Sequence, residues 1–228
     1  MRLAIVGTGR MGHTLATLAL QKGYSIASHV GRLSPELWGT LSVEVVIDFS
    51  HPSQVPALVE ACLHRSIPLV TGTTGWYERL PDLRRLAETT PNARWLWGGN
   101  FSRGVLLLKS AIRAIFQMWG QLSDWEAALV ETHHRHKKDA PSGTALELRR
   151  HFPALKTIYS LRLGEVVGEH RILLSGPGEE VELLHRAHDR IVFAEGALWA
   201  AQWLLQQQRF VGSFEEALSS GRMSNQAL

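Results

Sequence analysis

Cysteine occurs once in the 228-residue chain, at Cys62, so no internal disulfide can form. Its place in an apolar helical pattern makes a buried thiol the expectation. No apolar run approaches the about 18 residues that a membrane-spanning helix needs. The first apolar stretch, residues 2–6, is broken at once by Gly7 and Gly9, which leaves no apolar core for a secretory signal. Both absences point to a cytoplasmic protein without membrane association. Lys- and Arg-rich tracts with interleaved aromatics are missing too, and a formal net charge of +3 is too small to argue for nucleic acid. That modest excess of cation suits an anionic cofactor and substrate better. Repeats and low-complexity tracts are absent. With 45% hydrophobic and 20% charged residues, the chain can build one large or two modest domains.

What the chain does have begins at its first residues. Residues 2–6 are the kind of apolar run a buried parallel strand needs, and Gly7-Thr8-Gly9-Arg10-Met11-Gly12 follows directly. This is a GxGxxG between a strand and a helix expected over residues 11–22. Gly7 permits a tight turn, Gly9 lets a pyrophosphate approach the backbone, and Gly12 lets the helix pack closely on the strand. The helix N-terminus then faces the phosphates. A tight turn that binds nothing would share these glycines. The second strand, residues 24–30, would ordinarily end near an acid that holds an adenine ribose hydroxyl. No acid stands there. His29 and Arg32 occupy the region and favour a 2′-phosphate, hence NADPH, although Arg32 also reads as a solvated loop charge.

Residues 43–50 read as a buried strand, 53–65 as a helix and 67–71 as another strand, a βαβ alternation. Gly72-Thr73-Thr74-Gly75 closes that strand, and Gly98-Gly99-Asn100-Phe101 closes the next, at residues 93–97. Ligands of open α/β sheets bind at the carboxyl ends of strands, so both loops point at a cofactor. Turn formation alone is the competing reading.

A second domain is expected after Ser102. A long apolar helix over residues 104–119 leads into strands at 125–132, 157–163, 168–175, 179–186 and 190–193, then a helix over 194–208. Residues 210–218 form a short segment suited to return to the first domain. The fold class is therefore α/β: a Rossmann dinucleotide-binding domain over residues 1–103, completed by 207–228, and a smaller α+β mixed-sheet domain over 104–206 for substrate and oligomerisation.

Between the strand ending at Thr132 and a helix entered through Ser142 lies a cationic, His-rich loop, His133-His134-Arg135-His136-Lys137-Lys138-Asp139-Ala140-Pro141. Imidazoles with ordinary pKa values near ~6.5 can give or take a proton at neutral pH, so His133 and His134 are candidates for acid/base work. Lys137 adds a fixed cation. The N–H groups of Gly143 and Thr144 at the helix start can bind a carboxylate, with the Thr144 hydroxyl as a further donor. A solvated surface loop would look similar. A metal site is not expected, because no Cys, Asp or Glu stands at a zinc-type spacing from His133 and His134.

These motifs together resemble the 4-hydroxy-tetrahydrodipicolinate reductase family, also called dihydrodipicolinate reductase, NAD(P)H enzymes of bacterial lysine and diaminopimelate synthesis. The resemblance runs over nearly the whole chain: Gly7 to Gly12, Asp48-Phe49-Ser50, Gly72 to Gly75, Asn100-Phe101-Ser102, Gly168-Glu169-His170 and Phe193 to Leu198. Its most specific part is the run from His133 to Ala145. It implies reduction of (hydroxy-)dihydrodipicolinate, a cyclic dicarboxylate, with NADPH or NADH, by a homotetramer. It further implies that His133 is the acid/base group and Lys137 the proton donor, that His134, Gly143 and Thr144 hold substrate carboxylate, and that Gly72, Thr73, Thr74, Gly98, Gly99, Asn100 and Phe101 border the nicotinamide. The chain departs from the family in its short stretch between the second and third strands, a glycine loop one residue tighter, and Gly98 and Gly99 where alanines are expected. Two competing readings are another Rossmann reductase, of the aspartate or homoserine dehydrogenase type, and a nucleotide-binding sensor without turnover. The His-rich loop joined to the Ser142 helix start argues against the first, and intact His133 and Lys137 argue against the second.

Overall fold

A computed structural model describes residues 1–220. Its contacts divide these into two compact units, residues 102–192 and the rest of the described chain. In the first unit the strands are β1 (Arg2–Val6), β2 (Ser25–Val30), β3 (Val45–Asp48), β4 (Leu69–Thr71) and β5 (Arg94–Trp97). The intervening helices are α1 (Arg10–Gln21), α2 (Pro35–Thr40), α3 (Val55–His64) and α4 (Leu80–Thr89). Leu3 to Val6 and all of β3 are buried, the near-continuous apolar run of strands covered on both faces.

Six parallel strands run in the order β10-β5-β4-β3-β1-β2, where β10 is Phe210–Ser213. This is a Rossmann-like, doubly wound sheet whose strand order reverses between β1 and β3, and the carboxyl ends of strands at such a switch point are where ligands bind. β2 is an edge strand of this sheet. The chain returns near its end to pair Phe210 with Arg94 and Ser213 with Trp97, and α8 (Phe214–Ser219) follows, started by a capping box of Ser213 and Glu216. Residues 221–228 of the expected tail lie outside the described residues.

Two expectations change here. The strand expected at residues 190–193 is instead the entry to helix α7 (Ile191–Leu205), which also ends before residue 208. The Asp189 carboxylate accepts the Ile191 N–H at 2.8 Å and so satisfies a donor of the first turn. The apolar run then continues far beyond strand length, which favours a helix. The second difference concerns the boundary: from Phe193 onward α7 groups with the first unit, not the second. Its small face explains this, since a Cβ on Gly196 would stand 1.9 Å from the Phe101 carbonyl oxygen, and Ala194, Ala197, Ala200 and Ala201 are fully buried.

The second unit is a four-stranded mixed sheet in the order β7-β6-β8-β9, with β6 (Glu126–His133), β7 (Thr157–Arg162), β8 (Gly168–Gly176) and β9 (Glu179–Ala187). Only β6 and β7 are parallel, and the crossover they require carries α6 (Gly143–His151). Helices α5 (Arg103–Met118) and α6 cover one face through Leu108, Ile112, Ala145 and Leu148, which pack with Leu129, Phe152 and Ile172. The other face leaves Tyr159, Leu161, Leu173 and Leu184 exposed. Among them runs an ion-pair row, Arg171 to Glu182 at 3.2 Å and Arg186 to Glu169 at 2.6 Å.

Candidate functional site

In the first unit, three glycines of the opening loop have three different reasons. Gly7 has φ +118°, and a Cβ there would lie 2.1 Å from the Phe49 carbonyl oxygen. At Gly12 a Cβ would lie 1.8 Å from the Gly7 carbonyl oxygen. Both positions are closed to side chains by the turn itself. Gly9 is the N-cap of α1, offers no side-chain cap, and has only open space where a Cβ would be. That opening in front of an uncapped helix start is what a dinucleotide phosphate needs. Thr8 and Arg10 are exposed beside it and Met11 is half-buried. His29 donates from Nε2 to the Gly7 carbonyl at 3.0 Å, so its ring serves the turn.

The other loops gather around one residue that the sequence marks only as the middle of Asp48-Phe49-Ser50. Phe49 follows β3, meets Gly7, and would collide with a Cβ on Gly72 at 2.2 Å through its ring edge. It also packs edge-on against Phe101 at 6.2 Å. The loops after β1, β3, β4 and β5 are thereby drawn together at the carboxyl edge of the sheet. Thr73 is buried and its carbonyl accepts from the Trp76 indole at 2.6 Å, whereas Thr74 and Gly99 are exposed and Asn100 is half-buried. Gly98 and the Phe101 ring are both buried against Phe214, so their side of the loop is packing, not ligand surface. Asp48 is fully buried; desolvation raises its carboxyl above the usual range despite bonds from Ser50 and Thr73. Arg32 lines a small cleft with Val6, Leu33, Trp38, Ser53 and Leu58 at the end of β1.

In the second unit, the His-rich loop leaves the carboxyl end of β6 and ends at α6, whose Ser142 hydroxyl accepts the Ala145 N–H. Gly143 is exposed, with open space beside its Cα, and Thr144 and His134 are half-buried. Lys137 bonds Asp139 through both carboxylate oxygens, at 2.7 and 2.9 Å. Burial opposes charge on Asp139, but the Lys137 ammonium outweighs it and holds the carboxyl below its usual range. His133, Lys137 and the helix start are thus adjacent along one loop. His136 and Arg135 are exposed and face Glu165 at 4.0 and 3.9 Å.

His133 itself is buried, with Nε2 2.9 Å from Oε2 of Glu131, also buried. The sheet register adds a third group: Glu131 pairs with His170 across β6 and β8, and His170 with His185 across β8 and β9. Burial, then the neighbouring His133, pushes His170 down to about 3, so this ring stays neutral at any ordinary pH. Donor atoms of Glu131, His133 and His170 lie within 4.8 Å of one another, a metal-ligand-type set that linear spacing did not reveal. The Arg162 guanidinium already supplies a cation, however, at 2.9 Å from Oε1 of Glu131. Burial alone would raise the Glu131 carboxyl, but donors led by His133 and Ser142 hold it well below the usual carboxylate range.

Comparison with known proteins follows the same division. Residues 1–101 match the family model for the N-terminus of dihydrodipicolinate reductase, and residues 104–218 match the model for its C-terminus. A 4-hydroxy-tetrahydrodipicolinate reductase of Stenotrophomonas maltophilia strain K279a is 39% identical, over 94% of this chain and 95% of the relative. That of Xanthomonas campestris pv. campestris strain B100 is 38% identical, over 87% and 89%. Among solved structures, the dipicolinate-bound dihydrodipicolinate reductase of Paenisporosarcina sp. TG-14 superposes with a TM-score of 0.76 over 95% of this chain and 98% of that one, at 21% identity. At that identity the match speaks to fold.

Proposed function

The chain belongs to the dihydrodipicolinate reductase family and is thus an oxidoreductase of lysine and diaminopimelate synthesis; we propose that it reduces (hydroxy-)dihydrodipicolinate to tetrahydrodipicolinate with NADPH or NADH. The observation that carries this reading is the joining of His133, Lys137 and an open helix start on one loop at the carboxyl end of β6. A dicarboxylate ring needs cations and N–H donors for its charge and an acid to complete reduction, and this loop offers both.

Gly9 and the first turn of α1 hold the pyrophosphate, with Thr8, Arg10 and Met11 around it, while Gly72, Thr73, Thr74, Gly98, Gly99, Asn100 and Phe101 shape the nicotinamide surroundings through their backbone. A nicotinamide held there would supply the hydride that reduces the conjugated imine formed when the substrate loses water. Lys137 exchanges Asp139 for a substrate carboxylate, and Gly143, Thr144 and His134 hold the dicarboxylate in place. Cations fixed beside the ring offset charge as it arrives. His133 and Lys137 then supply the proton that completes the enamine's conversion. The deciding experiment is NADPH oxidation followed by absorbance with and without substrate. Substrate-dependent oxidation is expected, and its absence would leave a nucleotide-binding protein without turnover.

Cofactor preference rests on Arg32. Its guanidinium can pair bidentately with a 2′-phosphate, for which NADH offers only a hydroxyl. Wild type is expected to favour NADPH, and Arg32→Ala to raise KM for NADPH more than for NADH with kcat nearly unchanged. Equal shifts for the two cofactors would discard Arg32 as the selector.

The homotetramer has support in the open face of the second sheet. Tyr159, Leu161, Leu173 and Leu184 are exposed there around charged pairs, a surface suited to another copy of the chain. Sedimentation at micromolar concentration should give a tetramer, and a monomer would rule it out.

A further inference from the structure

We infer that Glu131 is a positioning residue, whose buried carboxylate orients the His133 ring and anchors the loop that carries Lys137. The inference deepens the proposed reductase function and rests on His133 being its acid/base group. Glu131 is 0% exposed, and its Oε1 accepts two hydrogen bonds. Oε2 lies 2.9 Å from His133 Nε2, while Oε1 accepts from the Ser142 N–H at 3.1 Å and from Arg162 at 2.9 Å. Arg162 donates in turn to the Lys137 carbonyl at 3.3 Å and to the Asp139 carbonyl. One carboxylate therefore ties together the end of β6, the loop over residues 134–142 and the start of α6. These three pieces hold the acid/base group, the cation and the carboxylate site.

The ring geometry gives the carboxylate a chemical role as well. His133 Nδ1 donates to the Val167 carbonyl oxygen at 3.4 Å, and Nε2 stands 2.9 Å from Glu131 Oε2 as a charge contact. A carbonyl only accepts, so the Nδ1 that bonds Val167 carries a proton, while the carboxylate faces Nε2 as a charge. The ring is thus held from two sides, by the Val167 carbonyl at Nδ1 and by the Glu131 charge beside Nε2. Gly168 guards the Nδ1 side: a Cβ there would stand 3.2 Å from His133 Cε1 and 3.4 Å from Nδ1. A buried carboxylate–guanidinium pair is also weak as a stabilising device, because desolvating two charges offsets much of their attraction. Orientation of a partner group accounts for it better, as second-layer carboxylates do for other functional histidines.

A double-mutant cycle tests this. Glu131→Gln keeps the shape and removes the charge; kcat should fall by about ten- to a hundredfold, with KM for the cofactor within about twofold of wild type. The same substitution made in His133→Ala should cost less than about threefold in kcat, because a residue acting through His133 has nothing left to orient. Should Glu131→Gln fail to fold for want of a charge opposite Arg162, Glu131→Asp replaces it in both backgrounds. That variant keeps the charge but withdraws it by one methylene, and its kcat should fall by about tenfold only where His133 is present. A kcat within about threefold of wild type, or the same loss in both backgrounds, overturns the inference. Neither result touches the reductase reading, which fails only if wild type shows no substrate-dependent oxidation.

Discussion

His133→Ala is expected to lower kcat by about 10²–10⁴, the scale on which a lost general acid/base acts. KM for the cofactor should stay near wild type, since the glycine loop and its neighbours belong to the other compact unit. Residual folding is secured by bonds the substitution leaves alone: Glu131 still accepts from Ser142 and Arg162. A thermal melt separates the two effects, because loss of a buried imidazole leaves a cavity. Steady-state kinetics on a folded variant then decide the role. A loss of less than tenfold would move the proton to Lys137 or His134.

Lys137→Ala should remove most turnover, again with cofactor affinity near wild type. Its effect has two parts. A charge-assisted bond to a substrate carboxylate is worth about 1.5–3 kcal/mol, roughly ten- to a hundredfold in kcat/KM. Beyond this, Asp139 loses the ammonium that pairs both its oxygens, so an uncompensated carboxylate then stands where a doubly anionic substrate must arrive. Substrate KM should therefore rise along with the fall in kcat. Equal weakening of NADPH binding would contradict the assignment of Lys137 to the substrate side.

Much of the first unit is legible in the chain because its determinants are local. An apolar strand, a glycine turn and an amphipathic helix lie in direct succession over residues 2–21, and Gly7 and Gly12 are dictated by the end of an adjacent strand and by a neighbour a few residues away. The same holds for Ser142, which caps α6 through a bond to Ala145. Periodicity misled only where the run was short. Residues 190–193 carry β-branched and aromatic side chains, yet they open a long apolar helix that closes on Phe101 through Gly196. Placement of α7 with the first unit was likewise invisible, because it depends on a contact between residues far apart in sequence.

The chain by itself determined the cofactor-type turn, the strand and helix flanking the His-rich loop, and the residues that carry charge and proton there. It did so because capping, turn geometry and apolar period act within a few residues. Only the tertiary structure decided what surrounds His133. Glu131 and His133 share a face of β6 through the two-residue period of a strand, but His170 and Arg162 reach them through the pairing of β6 with β8 and β7. Strand register across a sheet is set by the packing of its buried face and by the lengths of its connections, and no local pattern in the sequence records which distant residue will stand opposite which.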